Sequence, residues 1–164
     1  ENAFQDLLKE KSSVTHVHST QEYILISFHQ LHNNADTIEL LFEALAEKNI
    51  IVDMISQTSH SDGSFDICIT IPKSEKDNAI ELLEGVSNRL NGISFKIYDN
   101  ISKITVEGAG MEYQPGIAAK VFKVLSKQEI LVRAVSTSET KISCIIDQIF
   151  EKNAVESLIE AFKL

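Results

Sequence analysis

Five residues recur at a constant distance along this chain, and that recurrence limits the fold more than any single motif. Phe42, Leu45, Ile50, Val52 and Ser56 align without a gap on Phe122, Leu125, Ile130, Val132 and Ser136. The set runs from a helical spacing into an extended one, the mark of a duplicated supersecondary unit. Divided between two copies, the chain of 164 residues leaves about 80 for each, a size at which a lone core is marginal. Pairing between modules or between chains is therefore expected.

In the second copy, Ile104 and Val106 alternate as in a strand. A loop holding Gly108, Gly110 and Pro115-Gly116 leads into a helical stripe of Ile117, Val121, Val124 and Leu125. Extended runs over 130–136 and 142–147 are separated by a short polar stretch, as a hairpin requires, and a last helix carries Val155, Leu158, Ile159 and Phe162. The first copy repeats the order. A strand over 23–28 precedes a helix with Ile38, Leu41, Phe42 and Leu45, for which Asp36 with Glu39 reads as a capping box. Strands over 50–56 and 65–71 flank the turn Ser61-Asp62-Gly63-Ser64. A second helix from Ser74 presents Ala79, Leu82, Leu83, Val86 and Leu90, closes at Asn91-Gly92, and is followed by a strand over 93–98. Aligning Cys68 with Cys144 makes the second hairpin four residues shorter than the first.

The first copy thus reads βαββαβ, whereas the second ends after its second helix without a fourth strand. An open sheet edge is a liability that proteins pair or cover, and the spare extended segment, Val14 to Ser19, is expected to fill it. The expected fold is α+β: two ferredoxin-like βαββαβ modules with antiparallel sheets and helices on one face, the first inserted in the second. Residues 22–99 form the first module and 14–20 with 101–164 the second. Residues 1–13, with the stripe Phe4, Leu7 and Leu8, read as a linker or the tail of a preceding helix.

The formal charge of −9 argues against nucleic acid, whose binding draws on Lys and Arg neutralising phosphates. An RNA-recognition module has the same element order but needs exposed sheet aromatics, and the central strands here are Ile, Val and Cys. The two cysteines sit in apolar strand runs without metal spacing, and the pair His16 and His18 lacks a third ligand, so no metal and no cofactor is expected. The glycines at 108, 110 and 116 are too widely spaced for a dinucleotide fingerprint. No apolar run reaches the roughly 18 residues of a membrane span, and a signal-peptide layout is missing, so the expected location is cytoplasmic. No spacing forces titratable groups together in a cleft, so no catalytic residue is assigned on this frame.

What the pattern does offer is a seat for a carboxylate and, elsewhere in the chain, a candidate acceptor. The turn at Gln114-Pro115-Gly116 delivers a helix N-terminus, a natural seat for a carboxylate, and Asp53 is a candidate acceptor for an ammonium group. Because the residue aligned with Asp53 is Arg133, the two modules cannot present the same site.

The stretches Gly108-Ala109-Gly110-Met111, Pro115-Gly116, Ser136-Thr137-Ser138-Glu139 and Lys141-Ile142-Ser143 closely resemble the second ACT module of the aspartokinase regulatory region. More weakly, the resemblance extends from about Val14 to the C-terminus. It implies an allosteric sensor of an end-product amino acid of the aspartate family, with modules side by side in a homodimer. It also implies an effector held where the first module meets the second module of a partner chain. There Val52 and Asp53 would face Met111, Tyr113, Gln114, Gly116, Ile117 and Ala118, while Gln57 and Ser136, Thr137, Ser138 and Glu139 form a second candidate effector site. The loop Gln30-Leu31-His32-Asn33-Asn34-Ala35 lacks the Asp and Pro-Gly of relatives sensitive to both threonine and lysine, so the lysine-sensitive type resembles it better. The Lys-Phe-Gly-Gly opening and the nucleotide-binding region of a kinase catalytic domain are missing, so this chain alone is not an enzyme. The resemblance makes it the regulatory part of an aspartate kinase, partnered by a catalytic domain or subunit. The alternative is a free-standing sensor or the sensor domain of another amino-acid enzyme.

Overall fold

The computed structural model describes residues 14–89 and 92–164. The stripe Phe4, Leu7 and Leu8 and the helix end at Leu90 and Asn91 lie outside the described residues. Among those described, the strands are β1 (His16–Thr20), β2 (Tyr23–Leu31), β3 (Ile55–Ser59), β4 (Phe65–Pro72), β5 (Ser94–Tyr98), β6 (Ile101–Glu107), β7 (Ala134–Thr137) and β8 (Lys141–Asp147). The α-helices are α1 (Asn34–Glu47), α2 (Lys76–Arg89), α3 (Ile117–Lys127) and α4 (Glu151–Phe162). They divide into two compact units, Glu22–Asp99 and a second built from the residues before and after it.

In the unit Glu22–Asp99 the antiparallel sheet has the order β3-β4-β2-β5. Period-two alternation puts Ile24, Ile26 and Phe28 of β2 and Phe65, Ile67, Ile69 and Ile71 of β4 on one face. Leu41 and Leu45 of α1 and Ala79, Leu83 and Val86 of α2 close over that face to make the core.

The other unit reproduces this plan with the order β1-β6-β8-β7. Its core joins Ile104 and Val106 of β6, Ile142, Cys144 and Ile146 of β8, Val121 and Leu125 of α3, and Ala154, Leu158 and Phe162 of α4. Strand β1 takes the edge that β5 occupies in the first unit, antiparallel to β6 from His16 opposite Glu107 to Thr20 opposite Lys103. The first unit is therefore an insertion between β1 and β6. Two features fix β1: fully buried Val14 joins the core, and Glu151 at the start of α4 accepts hydrogen bonds from Ser19 Oγ (2.8 Å), Gln21 Nε2 (2.6 Å) and Ser102 Oγ. Burial pushes the Glu151 carboxyl up, but those three donors outweigh it and leave the group below the usual glutamate range.

Three local expectations are corrected. Helix α1 starts at Asn34 behind Asn33, whose φ is 53°, with no side-chain cap. Asp36 lies within the first turn, where its charge suits the helix dipole, and the hydroxyl of Thr37 donates to the His32 carbonyl. The apolar runs over 50–56 and 130–136 become strands only at Ile55 and Ala134. In the first, Asp53 N–H donates to the Thr70 carbonyl (2.9 Å) and Met54 N–H to the Thr70 hydroxyl (2.8 Å). Two consecutive donors on one residue do not fit a regular ladder.

The cysteines are not equivalent either. Ser56 pairs with Cys68, whereas Ser136 pairs with Ser143. On the other side Ile26 pairs with Ile69 and Ile104 with Cys144. Cys144 thus takes the core position of Ile69. Cys68 takes that of Ser143 on the opposite face, with Ser27 Oγ 3.5 Å from its sulfur as Thr105 Oγ1 lies 3.2 Å from Ser143 Oγ. From Ser56 to Cys68 is twelve positions and from Ser136 to Ser143 seven, so the second hairpin is five residues shorter, not four. A slip of one would have turned every side chain of β8 to the wrong face.

Candidate functional site

After β6, Gly108 N–H donates to the Thr140 carbonyl (2.9 Å), fastening the loop to the β7–β8 hairpin. A 3₁₀ turn over Met111–Tyr113 follows, and Gln114 N–H donates to the Met111 carbonyl (3.3 Å). The chain then reverses at Gly116, with φ 91°. A Cβ there would meet no atom within 4 Å, so glycine is required for its backbone conformation and not for space. Helix α3 starts at Ile117 with neither a side-chain cap nor an acidic residue in its first turn. Its first N–H groups and the positive end of its dipole are thus left to whatever anion approaches.

Beside this helix end lies a cavity of about 280 Å³. The loop contributes Met111, Glu112 and Gln114, the helix start Gly116, Ile117 and Ala118, and the hairpin Thr137, Ser138, Glu139 and Ile142. Two sets that the sequence kept apart, the helix-start residues and the Thr137–Glu139 segment, thus line one cavity. Ser136 sits next to it on β7, and Tyr113 ends the 3₁₀ turn. Sequence reasoning missed Glu112 and Ile142. The hairpin register, with Ile142 opposite Thr137, was the signal for the latter. Chemically the cavity combines backbone donors, two carboxylates, two hydroxyls and the apolar Met111, Ile117 and Ile142, a lining suited to an amino acid.

Val52, Asp53 and Gln57 belong to the unit Glu22–Asp99 and do not line that cavity. Val52 is half-buried against the first core, Gln57 is exposed opposite Ile67, and the Asp53 carboxylate accepts a hydrogen bond from Thr70 Oγ1 (3.1 Å). At the position aligned with Asp53, the guanidinium of Arg133 is held bidentately by Asp147, at 2.6 and 3.3 Å.

The corresponding end of the first unit is built differently. Phe28 pairs with Ile67 and Leu31 with Phe65, so His29 and Gln30 together oppose the single residue Asp66 in a β-bulge. Gln30 has φ 53°, and its N–H donates to Asp66 Oδ1 (2.9 Å). Asp66 Oδ2 lies 3.1 Å from His60 Nε2 and 3.7 Å from His29 Nδ1. The Gln30 hydrogen bond, set against partial burial and aided by the imidazoles, holds this carboxyl below the usual aspartate range. His18 lies 3.4 Å from Glu107, and no group with metal-binding geometry occurs among the described residues. No described helix is long and apolar enough to cross a membrane.

A model of the ACT domain matches residues 29–86 and 104–162. The chain belongs to the ACT-domain family. Aspartokinase 2 of Bacillus subtilis is 33% identical over 139 residues, which is 85% of this chain and 34% of that protein. An aspartokinase of Helicobacter pylori is 37% identical over 124 residues, 76% of this chain and 30% of the relative. The ACT tandem thus spans about a third of the length of the curated relatives it matches. By contrast, it covers 99% of the solved regulatory subunit of aspartate kinase from Thermus thermophilus, with 92% of this chain matched, 27% identity and a TM-score of 0.85. The two ACT modules are therefore of the aspartokinase regulatory type.

Proposed function

We propose that this ACT tandem is the feedback-control part of an aspartate kinase and that its effector is lysine. The observation that carries the reading is the uncapped N-terminus of α3 at a cavity that also holds Glu112 and Glu139. An amino acid would place its carboxylate on the N–H groups of Ile117 and Ala118. The carboxylates and the hydroxyls of Thr137 and Ser138 would take ammonium groups. Lysine has two of these and threonine one. On this reading Ser136–Glu139 belong to the same site as Met111, Gln114 and Gly116, and Val52, Asp53 and Gln57 are supplied by the partner chain of a cytoplasmic homodimer. A kinase catalytic domain or subunit is the third partner and receives the signal.

Calorimetric titration with lysine, threonine, methionine and diaminopimelate tests the assignment, and lysine should give the tightest saturable binding. Asp53→Ala should weaken it roughly 30-fold, as expected for removal of a charge-assisted partner worth about 2 kcal/mol. Light scattering should report twice the 18.3 kDa chain mass. Tighter binding of threonine, or of none of the four, would overturn the lysine reading. Unchanged affinity in Asp53→Ala would remove the partner-chain contribution.

A further inference from the structure

We infer that the unit Glu22–Asp99 carries a separate binding site for a small oxyanion, a carboxylate or a phosphate, centred on Arg89. The chain has only two arginines. Arg133 is locked onto Asp147. Arg89, at the end of α2, has no hydrogen-bond or ion-pair partner among the described residues and lines a cavity of about 400 Å³. The cavity lies between the β2–α1 connection, which contributes His29, His32, Asn33 and Thr37, and the start of β5, which contributes Ser94.

What singles it out is the sign of its lining. In a chain with 24 acidic and 15 basic residues, no carboxylate lines this cavity among the described residues, while a guanidinium, two imidazoles and two hydroxyls do. Asp62 and Asp66 act electrostatically on His32 and His29, yet both line a different cavity. There they accept hydrogen bonds from Ser64 and Gln30. Among the described residues, Arg89 is the one group lining the cavity that carries a fixed positive charge. Guanidinium presents a planar fork of donors matched to carboxylate or phosphate oxygens, and a volume of this order falls in the range of small-molecule sites. The site lies wholly within one unit, is independent of the lysine assignment, and needs no second chain.

The test is an NMR titration of the full chain with three probes: inorganic phosphate, pyrophosphate and succinate. Saturable shifts should appear at His29, His32 and Ser94, and the probe that saturates at the lowest concentration identifies the source of the oxyanion. Arg89→Gln should weaken that binding about tenfold, as expected when one charge-assisted hydrogen bond is removed from a part-solvated cavity. Lys123→Gln, an identical charge change at an exposed position of α3, should leave it unchanged. If none of the probes gives saturable shifts at these residues, or if the two variants weaken binding equally, the inference is wrong.

Discussion

Removing the carboxylate of Glu151 should release β1 from the second module while leaving the rest of the chain folded. Three donors converge on that carboxylate, from Ser19 in β1, Gln21 just beyond it and Ser102 in β6. A hydrogen bond to a charged group contributes about 1.5–3 kcal/mol by mutation. The three share one half-buried acceptor and are not additive, so Glu151→Ala should cost about 2–4 kcal/mol in total. Because β1 is an edge strand that pairs, among the described residues, with β6 alone, the cost falls on its docking and not on global unfolding. Amide exchange in His16–Thr20 should accelerate about 30-fold or more, with no comparable change in β2 to β5.

The charge state predicts the pH dependence. Glu151 titrates below its ordinary value of 4.5 in the folded protein, so its contribution is present above that value. It is lost as pH falls through the lower folded pKa. Protection of β1 should hold from pH 7 to about pH 5 and weaken below, a decline that Glu151→Gln lacks. Equal protection of β1 in wild type and Glu151→Ala, or a loss spread over both units, would refute the argument.

Gly116→Ala forces a side chain to φ 91° and should cost about 1–2 kcal/mol, read as a lower melting temperature together with weaker effector binding. The thiols should differ in alkylation at pH 8: burial pushes Cys144 up to about 11, whereas Cys68 is part-exposed, and mass mapping should find Cys68 labelled first. Leu158→Ala empties a fully buried position in the second core and should destabilise by about 2–5 kcal/mol, with exchange accelerated in β6 and β8; an effect confined to β2 and β4 would contradict the separate cores.

The sequence alone determined the module count, the element order and the insertion. Those depend on local periodicity: the stripe Ile117, Val121, Leu125 or the alternation of Ile104 and Val106 is written within a few residues. The missing fourth strand could be counted, and Val14 to Ser19 was available to supply it. The helix start at Gly116 was legible for the same reason, since a positive φ before an apolar stripe calls for glycine.

Tertiary structure alone decided where separate segments meet. The register of β7 on β8 gave Cys144 the place of Ile69 and left Cys68 on the other face. Matching like residues could not find this, because loop length and side-chain parity are independent along the chain while strand pairing couples them. The left-handed Asn33 and the bulge at Gln30 follow from how β2 must leave its sheet, and Asp36 had the composition of a cap without the position. Glu139 lies far from Gly116 in sequence, yet both line one cavity because the sheet carries the hairpin beside the loop that precedes α3. Local patterns set what each segment becomes, and only cross-strand pairing sets which side chains share a cavity.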